Sequence, residues 1–139
     1  MKDWNIKTIV LGYDGSEGAD RAVRLAATLA RVSEANVVVV STFQTRSTNR
    51  DDEKIGRIIA KTQATAEDAV RELQKAGVTA EPDVLEGSAG ETLLSVVESR
   101  EADLIVVGRR GHGLVAHLLL GSTSEHVVRR AKVPVLVAH

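Results

Sequence analysis

Ala102-Asp-Leu-Ile-Val-Val-Gly-Arg-Arg-Gly111 and, after nine intervening residues, Gly121-Ser-Thr-Ser124 form the stretch on which the fold turns. The apolar run 104–107 reads as a buried strand, and residues 122–131 read as a helix. A strand that opens into a glycine loop and then a hydroxyl-rich helix start offers bare backbone N–H groups to an anion. Glycine admits positive φ and lets a phosphate approach the main chain. The free amides and positive dipole end of the helix favour negative charge. A plainer reading stands beside this one, because Ser122-Thr-Ser-Glu125 satisfies the capping-box pattern. Capping leaves Gly108 and Gly111 unexplained, and a capped helix start can still take an anion.

Working outward, residues 6–13 form a first strand rich in β-branched residues, ended by Asp14-Gly-Ser16. Ala19, Ala22, Val23, Ala26, Ala27 and Ala30 then recur at helical spacing. Four successive valines, 37–40, read as a strand buried on both faces, as parallel sheets require. Residues 45–53 are polar and unpatterned and read as a mobile loop. Ile55, Ile58, Ile59, Thr62, Ala66, Ala69 and Leu73 define a long amphipathic helix stopped by Gly77 at C′. Residues 78–85 form a weaker strand that Pro82 places at or near a sheet edge. Ser88-Ala-Gly-Glu91 opens a third helix as a capping box, and residues 133–138 are the fifth strand. Five strands alternating with helices, without internal repeat, predict a single doubly wound α/β domain over residues 1–139. Its sheet is parallel, in the order 3-2-1-4-5, with helices on both faces.

Composition excludes several classes. A length of 139 residues suits one domain with a real core. The net charge of −1 argues against a nucleic-acid or acidic-membrane surface held by bulk electrostatics. Arg129-Arg130 and Lys132 read as favourable charge at a helix C-terminus. The chain has no cysteine, so disulfides, thiolate metal sites and thiol catalysis are out. No apolar run reaches membrane-spanning length and no signal-peptide core precedes the first strand, so a cytoplasmic location is expected. Trp4, Tyr13 and Phe43 are the only aromatics, too few for a single-stranded nucleic-acid platform.

The second candidate loop is Gly12-Tyr-Asp14-Gly-Ser16. Ligands of open α/β sheets sit beyond the strands' carboxyl ends where strand order reverses. With strands one and four as central neighbours, Asp14 and Gly108 line one crevice. Asp14 is then placed to bind a ribose or a metal on the phosphates; it equally suits an Asx-turn or helix cap. No Gly-x4-Gly-Lys-Ser/Thr is present, which excludes a P-loop. Gly111-His-Gly-Leu-Val-Ala116 mimics a dinucleotide fingerprint, but it lies outside the opening βαβ unit. Ala131 also stands where an acidic ribose ligand belongs. The four histidines lack His-Glu-x-x-His spacing. Of these, His112 lies in the glycine loop within reach of a phosphate, and His117, His126 and His139 read as solvated. No general-base dyad is visible.

Together these segments resemble the universal stress protein family. The carrying residues are Gly108-x2-Gly111-x9-Gly121-Ser122, Asp14-Gly-Ser16, the strand ending at Gly108 and the closing Val133-Pro-Val-Leu-Val137. The resemblance implies ATP binding, often with Mg²⁺ or Mn²⁺, and dimerisation through the last strand. It assigns Gly12, Tyr13 and Asp14 to adenosine, and Thr42 to adenine. Val107, Gly108, Arg109, Arg110, Gly111, His112, Gly121, Ser122, Thr123 and Ser124 fall to ribose and phosphates. Arg109-Arg110 departs from the small or polar residues that many relatives carry there. Two added cations strengthen ATP binding, point to solvent, or favour AMP or a cyclic nucleotide in another pose. The expected function is a cytoplasmic, homodimeric, adenine-nucleotide-binding stress protein with no catalytic residues assigned. The alternative is a slow ATPase or self-kinase that modifies one of residues 122–124. Adenine-nucleotide hydrolases with a Ser-Gly-Gly-x-Asp-Ser loop are not matched by Gly12-Tyr-Asp-Gly-Ser16.

Overall fold

A computed structural model describes residues 3–109 and 120–139. The central strands are β1 (Thr8–Gly12), β2 (Asn36–Phe43) and β4 (Leu104–Gly108). The edge strands are β3 (Ala80–Glu86) and β5 (Val135–Ala138). All pairings are parallel, in the order β3-β2-β1-β4-β5. The expected topology is therefore the observed one. Helix α1 (Glu17–Ser33) and helix α2 (Asp52–Lys75) cover one face, while α3 (Ala89–Arg100) and α4 (Ser122–Arg130) cover the other.

Both faces of the central strands are buried, which is why they do not alternate. Ile9, Leu11, Val37, Val39 and Val106 pack beneath α1 and α2. Val10, Val38, Val40, Ile105 and Val107 pack against α3 and α4. Alanines on α1 bring that helix close to the sheet. Pro82 lies on edge strand β3, where its missing N–H costs no central ladder bond.

Helix ends follow local chemistry, with three departures from the sequence expectations. Ser16 caps α1 by accepting the Ala19 N–H at 3.2 Å. Gly77, at φ +82, follows the end of α2 as expected. Residues 45–53, read as a loop, contain a 3₁₀ turn over Arg46–Thr48. They also hold Asp51, whose carboxylate accepts the Lys54 N–H at 3.1 Å and starts α2 at Asp52. The capping aspartate outweighs the local polarity. Ser88 does occupy the N-cap of α3, but its side chain makes no capping bond. In α4 the cap is Gly121, one residue earlier than expected. Gly121 C=O accepts the Glu125 N–H, and among the described residues no side chain caps this helix start. With Ser122 inside the helix, Glu125 is one position too far along for a capping box.

Candidate functional site

The β1–β4 register pairs Ile9 with Leu104, Val10 with Ile105 and Leu11 with Val106. One step further, Gly12 lies level with Val107, and a Cβ on Gly12 would meet Val107 Cγ1 at 3.2 Å. To one side of β1 lie β2 and β3, to the other β4 and β5. The carboxyl ends of β1 and β4 thus flank the reversal point, where ligands of such sheets bind.

The loop after β1 is built around Asp14. Its Oδ1 accepts the Ser16 N–H at 3.0 Å, an Asx-turn that feeds directly into the cap of α1. The turn-forming reading of Asp14 is therefore correct, and its side chain remains exposed at the crevice. Tyr13 is held by its main chain: its N–H donates to Val40 O at 2.9 Å, and its C=O accepts the Ser41 hydroxyl at 2.7 Å. The Tyr13 side chain turns the other way, to the α1–α2 face, where its hydroxyl donates to Asp20 Oδ1 at 2.9 Å. Burial, and then this carboxylate, push the phenol's pKa well above its ordinary value. Only the backbone of Tyr13 is left to serve the crevice. Strand β2 runs past the end of β1, since Val40 is level with Gly12 and the strand continues to Phe43. Thr42 accordingly stands beyond Gly12 at the carboxyl edge, half-buried.

On the other side, the main chain after β4 is pinned at both ends. The Arg109 N–H donates to Ala138 O at 2.9 Å, and the Gly121 N–H donates to Arg109 O at 2.7 Å. Ser124, 2% exposed, donates its hydroxyl to Gly108 O. These bonds fix the start of α4 over the end of β4. Its first amides lack intrahelical acceptors by construction, and among the described residues no side-chain cap takes them. The arrangement can hold an anion. Arg110, Gly111 and His112 lie outside the described residues.

Three sequence readings change here. Gly108 does not adopt positive φ, and its lack of a side chain has a packing reason. A Cβ there would stand 2.6 Å from both C and O of Gly18 on α1. Gly108 lets the first turn of α1 cross β4 in close contact, a role the phosphate argument had not considered. Gly18 was the unread signal, a glycine in the first turn of an otherwise alanine-rich helix. Ser124 is committed to Gly108, so its hydroxyl proton is not free for a ligand; Ser122 is exposed and Thr123 half-buried. His126, expected in solvent, packs its ring on α3, where a Cβ on Gly90 would come within 2.7 Å of it. Among the described residues no three histidine or acidic side chains cluster as a metal site.

A β3-β2-β1-β4-β5 parallel sheet with an Asx loop after β1 and a pinned helix start after β4 defines a doubly wound α/β architecture. The chain belongs to the universal stress protein family, whose pattern it matches over residues 5–139. A universal stress protein of Thermus aquaticus is 35% identical over 146 residues, covering 94% of this chain and 97% of that one. A Synechocystis member is 30% identical over 131 residues; the match takes in 94% of this chain but 42% of that longer protein. Among solved structures, a universal stress protein in complex with cAMP superposes with a TM-score of 0.80 at 28% identity, covering 97% and 98% of the two chains. No helix among the described residues is long and apolar enough to cross a membrane.

Proposed function

We propose that this protein binds an adenine nucleotide in the crevice between β1 and β4, as a cytoplasmic homodimeric module of stress adaptation. The start of α4 carries the argument: uncapped amides are held over the reversal point by the Gly121–Arg109 and Ser124–Gly108 bonds. The cAMP complex of the related protein supports a nucleotide as the anion. The phosphates would meet the amides of Ser122 and Thr123 and the Arg109 side of the loop. The ribose and base would lie toward Gly12, the Tyr13 main chain, Asp14 and Thr42. A Mg²⁺ or Mn²⁺ on ATP phosphates suits Asp14, since magnesium in such sites takes one or two carboxylates together with substrate phosphates. ATP, AMP and cyclic AMP share the features this cradle would read.

Turnover is expected to be slow, below about 1 s⁻¹, because the sequence has no P-loop lysine and no positioned base accompanies the crevice among the described residues. Thermal unfolding with ATP, AMP, cAMP and GTP tests the binding. At a hundredfold excess over Kd a ligand stabilises the fold by about 2.7 kcal/mol, so adenine nucleotides should raise Tm by several degrees and GTP by less. An unchanged Tm with every adenine nucleotide at millimolar concentration would overturn the proposal.

A further inference from the structure

Helix α3 carries a glycine at a place where its own conformation gives no reason for one. Gly90 is buried in the first turn, in helical backbone without positive φ, and alanine is the better helix former there. The reason lies on α4. A Cβ at Gly90 would stand 2.7 Å from Cδ2, 2.8 Å from Cγ and 3.0 Å from Cβ of His126. The imidazole therefore fills a notch that the glycine leaves in α3. Its Nε2 is shielded from solvent and has no hydrogen-bond partner, so no bond from that atom steers the ring and packing sets its place.

Turning the ring does not relieve such a contact, because Cβ of His126 is itself part of it. A side chain at residue 90 has to displace a helix. Of the two, α3 is the better anchored: Gly90, Thr92, Leu93, Val96 and Val97 are buried, against Ser124 and Val127 in α4. The displacement then falls on α4. His126 lies one turn beyond Ser122, and the turn before it is registered on β4 by two bonds. These run from Gly121 N–H to Arg109 O at 2.7 Å and from the Ser124 hydroxyl to Gly108 O.

We infer that His126 is a positioning residue. Seated in the Gly90 notch, it sets how far α4 stands from α3, and so where the amides of Ser122 and Thr123 lie over the end of β4. Three contacts then fix this helix start: His126 on α3, and Gly121 and Ser124 on the main chain that ends β4. A binding group held on several sides keeps its aim. The consequence for affinity rests on the nucleotide reading above; the placement of α4 does not.

A double-mutant cycle of Gly90→Ala, His126→Ala and the pair tests this on the full chain, with circular dichroism to establish folding. The first measurement is amide hydrogen exchange in the free protein, the second ATP titration. Gly90→Ala should speed exchange of the Gly121 amide about tenfold, leave amides of α2 unchanged, and weaken ATP by a similar factor. The pair should recover most of both, because the colliding ring is gone; two independent structural losses would instead add. If Gly90→Ala alone does not fold, the pair should, and an unfolded pair overturns the inference. It also fails if Gly121 exchanges as in the parent in a folded Gly90→Ala protein, or if the pair exchanges as fast as Gly90→Ala. Equal ATP affinity in the parent and in Gly90→Ala overturns it too. A parent that binds no adenine nucleotide removes the nucleotide reading instead, and Gly121 exchange then decides the inference alone.

Discussion

Tyr13 is the chain's one tyrosine, so a phenolate titration reports this residue alone. Its pKa is raised by burial and then by the hydrogen-bonded Asp20 carboxylate, with Asp68 and Asp14 adding to the effect. A phenol whose folded pKa exceeds its unfolded value of 10.0 keeps its proton longer in the native state. Its contribution to stability is full below about pH 10 and is lost as pH rises beyond it. Near pH 10 the native protein should show little phenolate absorbance, which should appear on unfolding. Tyr13→Phe should remove this share of the alkaline loss. A native phenol titrating at its ordinary value would contradict the geometry. The two glycines at the ends of the loop should separate stability from affinity. Gly108→Ala forces a Cβ against the Gly18 backbone and should cost roughly 1–3 kcal/mol in urea unfolding. Gly121 sits at φ −71, ψ 168, a backbone conformation that does not require glycine. Gly121→Val should therefore unfold near the parental Tm yet lose its nucleotide-dependent rise in Tm.

At the scale of the element, α4 is placed by one buried hydroxyl. Ser124→Ala would remove the Ser124–Gly108 bond and leave a carbonyl at the end of β4 without that donor. The cost should be about 1–3 kcal/mol, and nucleotide affinity should fall with it as the helix start loosens. Ser124→Thr should recover much of both, as measured by chemical unfolding and nucleotide titration; equal affinity in Ser124→Ala would show that the clamp does not aim the amides. The same burial bears on self-phosphorylation. Under the self-kinase alternative, label transferred from ATP would appear on exposed Ser122 and not on buried Ser124. Alternation in the edge strand β3 has its own control. Glu81 and Asp83 lie on the α3 face, where Arg100 from the end of α3 pairs with both. The hydrogen bond to Glu81 is the largest cause of the raised Arg100 pKa.

For the whole molecule, the decisive surface is the outer edge of β5, which pairs with β4 on one side only. Leu136 is 38% exposed and Val128 on α4 is 48% exposed. An open apolar edge invites a further strand, and a second copy about a two-fold axis closes the assembly. Val135 and Val137 pack against the core beneath α3 and α4, so lysine there would test folding as much as association. Leu136→Lys is the cleaner probe. The parent should sediment as a dimer at micromolar concentration and Leu136→Lys as a monomer with an intact fold. A monomeric parent would remove the interface.

The order of elements was legible because buried parallel strands and amphipathic helices leave different periodicities. The valines at 37–40 and the alanines of α1 need no tertiary knowledge to be placed. Pro82 identified its edge for the same reason, since a missing N–H is a local fact. Cap identity at α4 was not legible. Ser122 and Gly121 are both acceptable caps, and the choice falls to hydrogen bonds from Gly121 and Ser124 to residues 109 and 108. Nor did the sequence distinguish a glycine that faces a phosphate from one that faces another backbone, because both leave the same letter. Sequence determined which segments become strands and helices and that the carboxyl ends of β1 and β4 lie side by side. Only the tertiary structure decided that Gly108 serves Gly18, that Tyr13 turns its ring to Asp20, and that Ser124 is bound within the fold. Periodicity is carried by neighbours along the chain, whereas these contacts join residues from separate elements whose approach is fixed only once the sheet is assembled.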